Sequence, residues 1–109
     1  MAHTLGAFET AVLTAVFRLG DSAYGRSLHD DLEDRLNRGV AMGAMYNTLD
    51  RLERDGLLSS RLVQGSGGRG GRSRRYYAIN ADGIDALNRT RATAEALWAG
   101  IRWPIKVQL

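Results

Sequence analysis

The chain has 109 residues, 44% of them apolar and 25% charged, a composition typical of one globular domain with a modest core. It contains no cysteine, which excludes disulfides, thiolate metal sites and cysteine nucleophiles. No apolar run approaches the roughly 20 residues that cross a bilayer, and the first ten residues lack a signal-peptide pattern, so we expect a cytoplasmic protein with no membrane partner. The net charge is +3, but five arginines and no acidic residue lie between Ser59 and Ala81, a concentration typical of a footprint on a polyanion.

The first half of the chain shows three helical patterns. Apolar residues at three- and four-residue steps predict a first helix over residues 5–19, which Gly20 caps. N-cap residues precede a second predicted helix over residues 23–36, and a turn at 37–39 leads into a third over residues 41–56. A short second helix, a tight turn and a third helix that begins with small residues are typical of a helix-turn-helix.

The predicted third helix has two distinct faces. One is an apolar stripe of four residues: Met42, Met45, Leu49 and Leu52. The other opens with Gly43 and Ala44, which have almost no side chain, and continues with Asn47 and two arginines. Such a face suits the major groove of DNA, because a bare first turn can come close and amide and guanidinium groups can bond to bases and phosphates. An ordinary amphipathic helix also explains the stripe, so this segment alone leaves both readings open.

A strand, a loop and a second strand follow. Residues 57–63 and 74–79 read as strands, and the stretch between them contains five of the thirteen glycines together with arginines. Directly after a recognition-type helix, this arrangement predicts the wing of a winged helix. The alternative is a solvated hairpin tip whose arginines only keep it soluble. The loop is not a nucleotide-binding loop, since it lacks the lysine-serine or lysine-threonine ending and a following helix.

The C-terminal part predicts one long helix. Asn80 or Asp82 caps it, and it runs to about Ile101 before Pro104 stops it. A helix of this length would project beyond so small a core, and it carries a seam of apolar and small residues that a partner must cover. The simplest partner is a second copy of the chain. We therefore expect a mainly α fold with a small β-hairpin, divided into a winged helix-turn-helix (1–80), a dimerisation helix (81–103) and a tail (104–109).

Three stretches resemble the PadR family of bacterial transcription repressors. They are FETAVLTAVFRLGDSAYGRSLHDDLE, GAMYNTLDRLERDGLLSSR and RRYYAINADGIDAL, within a match from Leu5 to Ala99. The resemblance implies a dimeric winged helix-turn-helix with a single C-terminal helix, as in the short branch of the family. It also implies operators near genes for phenolic-acid detoxification or efflux pumps. Ala41 and Met42 stand where many relatives have a serine-rich start, a departure at the turn that would hold phosphate.

These patterns define candidate residues. The predicted DNA contacts are Tyr24, Arg26, Ser27, Met42, Gly43, Tyr46, Asn47, Arg51, Arg69, Arg72 and Arg74. The predicted dimer contacts are Leu5, Phe8, Val12, Ile84, Leu87, Ala94, Trp98 and Ile101. Trp98 either fills the dimer interface or borders a cleft for a planar aromatic inducer.

The leading hypothesis is a sequence-specific repressor of double-stranded DNA that binds an inverted-repeat operator as a homodimer. The alternative is a winged-helix module that binds another protein. No catalytic site, metal or cofactor is predicted: His3 lies near the chain end, His29 is expected on a solvated face, and neighbouring carboxylates on a helix do not converge.

Overall fold

The computed structural model describes residues 4–65 and 73–108. Its elements, in chain order, are α1 (Ala7–Leu19), a 3₁₀ turn (Gly20–Ser22), α2 (Gly25–Leu36), α3 (Met42–Arg54), β1 (Leu58–Val63), β2 (Arg74–Ile79) and α4 (Ala81–Trp98). The mainly helical fold with one hairpin is the predicted one. None of these helices, in the part of the chain that is described, is long and apolar enough to cross a membrane. Arg69 and Arg72 lie outside the described residues.

One core holds the first three helices and the base of the hairpin together. Its fully buried side chains come mainly from α1, α2 and α3: Val12, Leu13, Val16, Leu28, Leu32, Met45, Leu49 and Leu52. Met42, the first residue of the predicted apolar stripe, is instead 42% exposed. The stripe that packs on the core therefore begins at Met45, and Met42 is left at the surface of the first turn of α3.

The turn between α2 and α3 is tied to α2 by two side chains. Asn37 takes the left-handed conformation, with φ of 53°, and ends α2. His29 Nε2 lies 2.7 Å from the Val40 carbonyl oxygen, so this nitrogen carries the proton and donates. Glu33 accepts the Val40 N–H at 2.9 Å. The expectation that His29 lies on a solvated face is wrong, because the turn folds back over it.

The hairpin is antiparallel and extends to the start of α2. Leu58 pairs with Ile79 at its base and Val63 with Arg74 near its tip. On its other edge β2 meets the residues before α2: Tyr24 forms a bridge with Tyr76, and the Ala23 carbonyl accepts the Tyr77 N–H at 2.9 Å. Since Ala23 and Tyr24 are extended to make these contacts, α2 begins at Gly25 and not at the predicted Ala23.

Among the described residues, the buried contacts of α4 come from its first half. The Asn80 side chain caps its first turn by accepting the Gly83 N–H at 2.9 Å. Gly83 is required there, because a β-carbon would lie 2.1 Å from the Leu57 carbonyl oxygen. The helix ends at Trp98, before the predicted Ile101, because Ala99 has a non-helical ψ of 133° and Gly100 has a φ of 80°. All residues from 91 to 108 are exposed in the single chain.

Candidate nucleic-acid interface

A groove of about 830 Å³ opens between the first turns of α2 and α3 and the hairpin. Five of the predicted DNA contacts line it: Tyr24, Arg26, Met42, Tyr46 and Arg74. No acidic residue is among its lining residues in the described part of the chain. The fold thus brings the basic hairpin and the starts of both helices to one concave surface, as a polyanion would require.

Aromatic contacts hold the hairpin against the start of α2. The rings of Tyr24 and Tyr76 lie 5.5 Å apart, centroid to centroid, and the Arg74 guanidinium lies over the Tyr24 ring at 4.3 Å. On the far side of the stack, Arg61 lies over Tyr76 at 5.5 Å. A hydrogen bond with Tyr76 is the main reason why the pKa of Arg74 is raised above its ordinary value. The Arg74 guanidinium, which is charged as any arginine is near neutral pH, is thus held against the Tyr24 ring of the groove wall.

Tyr46 is positioned by the glycine that begins α2. A β-carbon on Gly25 would lie 1.9 Å from the Tyr46 hydroxyl oxygen, so the ring of this α3 residue occupies the space that a side chain at position 25 would need. Gly25 is buried beneath it, while Tyr46 is itself 38% exposed and lines the groove. The alanine-tyrosine-glycine sequence at positions 23–25 therefore serves both the hairpin and the placement of Tyr46.

The first turn of α3 is bare and open. Gly43, Ala44 and Asn47 are exposed on one side of this helix, beside the groove but not among its lining residues. A β-carbon on Gly43 would meet no atom within 4 Å. Nothing described in the chain requires glycine there, although glycine costs about 1 kcal/mol relative to alanine in a helix. A glycine at this exposed position is explained if another molecule comes close to the first turn of α3, where a side chain would hold it away.

Three predicted contacts already have partners within the chain. The Ser27 hydroxyl accepts the Tyr24 N–H at 3.1 Å, and its single proton lies within donating distance of the carbonyl oxygens of Ser22, at 2.5 Å, and Tyr24, at 3.0 Å. Arg51 Nε lies 3.2 Å from a carboxylate oxygen of Glu9 on α1. Arg26 lies 3.6 Å from Asp30 in an exposed pair, which is worth little in water. Ser27 and Arg51 would have to give up these bonds to contact DNA.

The structure adds residues that the sequence analysis did not select. Arg75 and Tyr76 line the groove, and Arg61 stacks on Tyr76. The arginines were visible as part of the basic segment, but only the pairing register of the hairpin shows which ones meet the helices. The described residues include no group of three His, Asp or Glu side chains that could hold a metal ion.

A second surface lies along α4. A groove of about 610 Å³ between α1 and α4 is lined by Thr10, Thr14, Leu87, Ala94 and Trp98, among others. Trp98 is 48% exposed, and Trp103 packs on it edge to face at 5.2 Å. Ile84 and Ile101 are also exposed.

Two of the predicted dimer contacts need correction. Val12 has no exposed surface and lies in the core of the single chain, and Leu5 is only 7% exposed. Val12 on α1 and Leu5 just before this helix both face their own chain, so neither side chain is available to a partner while this fold is kept. Phe8 and Leu87 are partly buried against the same core.

Comparison with known proteins places these surfaces in context. Residues 12–89 match the model of one protein family, the transcriptional regulator PadR-like family. A search of curated proteins found no match. Among solved structures, a PadR family transcriptional regulator from Eggerthella lenta is 28% identical, with a TM-score of 0.66 over 84% of this chain and 78% of that one.

Two further structures are similar in fold. A transcriptional regulator from Clostridium thermocellum is 22% identical, with a TM-score of 0.70 over 90% of this chain and 92% of that one. RosR of H. salinarum is 24% identical, with a TM-score of 0.69 over 94% of this chain and 84% of that one.

Proposed function

Because the chain belongs to the PadR-like family of transcriptional regulators, which bind DNA, we propose that it is a sequence-specific repressor of double-stranded DNA. The observation that carries the proposal is the acid-free groove in which Arg26, Arg74 and Arg75 surround the first turns of α2 and α3. Arginine on both sides of such a groove suits phosphate, to which it donates two parallel hydrogen bonds.

The contacts divide into two kinds. Asn47 and Gly43 on the open side of α3 would meet base edges, since an amide can bond to adenine in the major groove and a glycine lets the helix come close. Tyr24, Arg26, Tyr46, Met42 and Arg74 would hold the backbone along the groove. Arg69 and Arg72, which lie outside the described residues, remain proposed backbone contacts on the sequence pattern alone. Ser27 and Arg51 remain proposed contacts, although each would first have to leave its present partner.

The alternative function, binding to another protein, leaves two features of the site unexplained: the positive charge of the groove and the exposed glycine at the start of α3. A protein-binding groove needs no uniform positive charge, and it gains nothing from a helix that begins with an exposed glycine. Both features follow directly from binding a polyanion with a helix in its groove.

A homodimer built on α4 completes the proposal. Ile84, Ala94, Trp98 and Ile101 give α4 and its continuation an apolar side that the single chain leaves open. A second copy would cover it, and two-fold symmetry then implies an inverted repeat with half-sites about one helical turn, roughly 34–36 Å, apart.

The open indole of Trp98 also supports an inducer site for a planar aromatic compound. The groove between α1 and α4 is mainly apolar, and the ring of Trp98 forms part of its wall. An inducer would release DNA if it binds better to a dimer whose two α3 helices are wrongly spaced for the half-sites. The competing use of Trp98, simply filling the dimer interface, needs no ligand.

Fluorescence anisotropy with a labelled duplex from the upstream intergenic region and a scrambled duplex, at several salt concentrations, tests the function. Asn47→Ala should weaken the specific complex far more than the scrambled one, by about 1–3 kcal/mol. Arg74→Ala should weaken both and lower the salt slope by about one. Arg35→Ala is the matched control, since this arginine lies in the last turn of α2, beside Asp31, and is not among the residues that line the groove.

The outcomes separate the two functions. Equal losses on both duplexes for Asn47→Ala would remove this residue as a base reader. A folded wild-type protein that binds neither duplex at low salt would favour the protein-binding module instead.

A further inference from the structure

Two adjacent arginines of β2 are held on opposite faces of the hairpin. Successive side chains of a strand alternate in direction, so Arg74 and Arg75 cannot both face α2. Arg74 lies over the ring of Tyr24, just before α2. Arg75 shares the other face with Ser60 of β1, to which it is a diagonal neighbour because Ser60 pairs with Tyr77 and Leu62 with Arg75.

Ser60 links Arg75 to α3. Arg75 Nη1 donates a hydrogen bond to the Ser60 hydroxyl oxygen at 3.1 Å. That hydroxyl in turn donates its single proton to the carboxylate of Glu53, whose two oxygens both lie at 2.9 Å. Glu53 is in the last turns of α3, so the chain Arg75–Ser60–Glu53 runs from the hairpin to the recognition helix.

The serine also keeps the two charges apart. In the described part of the chain Arg75 forms no ion pair, and the bond to Ser60 uses one of the five N–H groups of its guanidinium. A direct bidentate pair with Glu53 would take up more of these donors and neutralise the charge. With the hydroxyl between them, Arg75 is oriented by Glu53 yet keeps donors and charge for a ligand in the groove that it lines.

We propose that Ser60 is a positioning residue for DNA binding: it holds Arg75, through Glu53, as a phosphate contact whose place is set by α3. The inference rests on the proposed DNA-binding function and adds to it a residue that touches no DNA. If α3 moves, Glu53 and Ser60 would then move the Arg75 guanidinium with it, so the position of α3 and the contact of Arg75 with a DNA phosphate are coupled.

The test measures duplex affinity and its salt slope for variants at position 60, in wild-type and Arg75→Ala backgrounds. Ser60→Ala should weaken binding about two- to tenfold, the net worth of one hydrogen bond, and should lower the salt slope as Arg75→Ala does, by about one. Ser60→Thr keeps the hydroxyl on a residue well suited to a strand and should bind within about twofold of wild type. Ser59→Ala is the matched control, because Ser59 is an exposed neighbour on the opposite face.

The double variant decides whether Ser60 acts through Arg75. Once Arg75 is alanine, Ser60→Ala should cause no further loss. An equal loss in both backgrounds, or an unchanged salt slope for Ser60→Ala, would show that Ser60 only stabilises the hairpin and would overturn the inference. If the wild-type protein binds the duplex and the Ser60 variants bind it equally well, this inference fails and the proposed function stands. If the wild-type protein binds no duplex, the inference and the proposed function both fail.

Discussion

Replacing Gly43 by alanine should stabilise the folded protein and weaken its binding to DNA. The residue lies in the first turn of α3, is exposed, and has room for a β-carbon with no atom within 4 Å. Alanine is better than glycine in a helix because it loses less backbone entropy on folding. Binding should respond in the opposite direction, since in the proposed complex the added methyl group would stand between α3 and the floor of the major groove.

The gain in stability and the loss in DNA affinity can be estimated separately. The full helix preference for alanine over glycine is about 0.8–1.0 kcal/mol, and at the second residue of a helix we expect about half of it or more. For a domain of this size that corresponds to a rise in Tm of roughly 2–8 °C. Moving the first turn away from the bases should cost at least one base contact, about 1–3 kcal/mol, or roughly five- to 150-fold in affinity.

Thermal unfolding followed by circular dichroism and anisotropy with the labelled duplex measure the two effects. Protein concentration must be equal in all melts, because the Tm of a dimer depends on it. Gly83→Ala is the contrasting variant: its β-carbon would lie 2.1 Å from the Leu57 carbonyl oxygen, so it should lose stability. Its loss of DNA binding should then follow the loss of folded protein.

A more stable Gly43→Ala protein with wild-type affinity would refute the reasoning, because it would mean that the first turn of α3 does not approach DNA. A less stable variant would contradict the open space around Gly43.

Two further predictions concern the dimer and the hairpin. If the chain forms the proposed dimer, Trp98→Asp should convert it to a monomer by light scattering, whereas Arg89→Ala, an exposed change on the same helix, should not; a stable Trp98→Asp dimer would place the interface elsewhere. Burial, assisted by the charges of Tyr46 and Asp50, raises the pKa of Tyr77 to about 12. The folded state therefore favours the neutral phenol, whose ordinary pKa is about 10, so this contribution to stability is full below pH 10 and disappears as the pH rises to 12. Tyr77→Phe should flatten that part of a denaturation-against-pH curve, and an unchanged slope would contradict the assignment.

Local sequence patterns predicted the elements better than their ends. The aromatic and β-branched run at 74–79 is β2 as predicted, because local signals mark both of its ends: a glycine-rich sequence before it and a capping asparagine after it. The start of α2 was placed too early, since Ala23 is held extended by Tyr77, a residue 54 positions away whose pairing has no local signal. At the other end of the chain, Gly100 is the local signal that ends α4, whereas the prediction relied on Pro104, four residues later.

The candidate site likewise has features that local sequence predicts and features that depend on pairing between distant residues. Arginine content and the small start of α3 predicted where charge and close approach would lie. Which side chains meet depended on the register of the hairpin, which brings Tyr76 to Tyr24 and Arg75 to Ser60. Val12 illustrates a limit of periodicity, because a helical stripe shows that a residue is covered but not whether its own chain or a partner covers it.

The contact between Gly25 and Tyr46 constrains how relatives of this protein can vary. With the hydroxyl oxygen 1.9 Å from where a β-carbon would be, no residue with a side chain fits at position 25 while Tyr46 keeps its place. Removing the hydroxyl alone relieves only part of the conflict, since the ring carbon that bears it is 3.0 Å from the same point. A residue larger than glycine at position 25 therefore requires either that the Tyr46 side chain leaves this place in the groove wall or that position 46 carries a smaller side chain. Across aligned relatives, a tyrosine at position 46 should therefore be found mainly with glycine at position 25, 21 residues earlier.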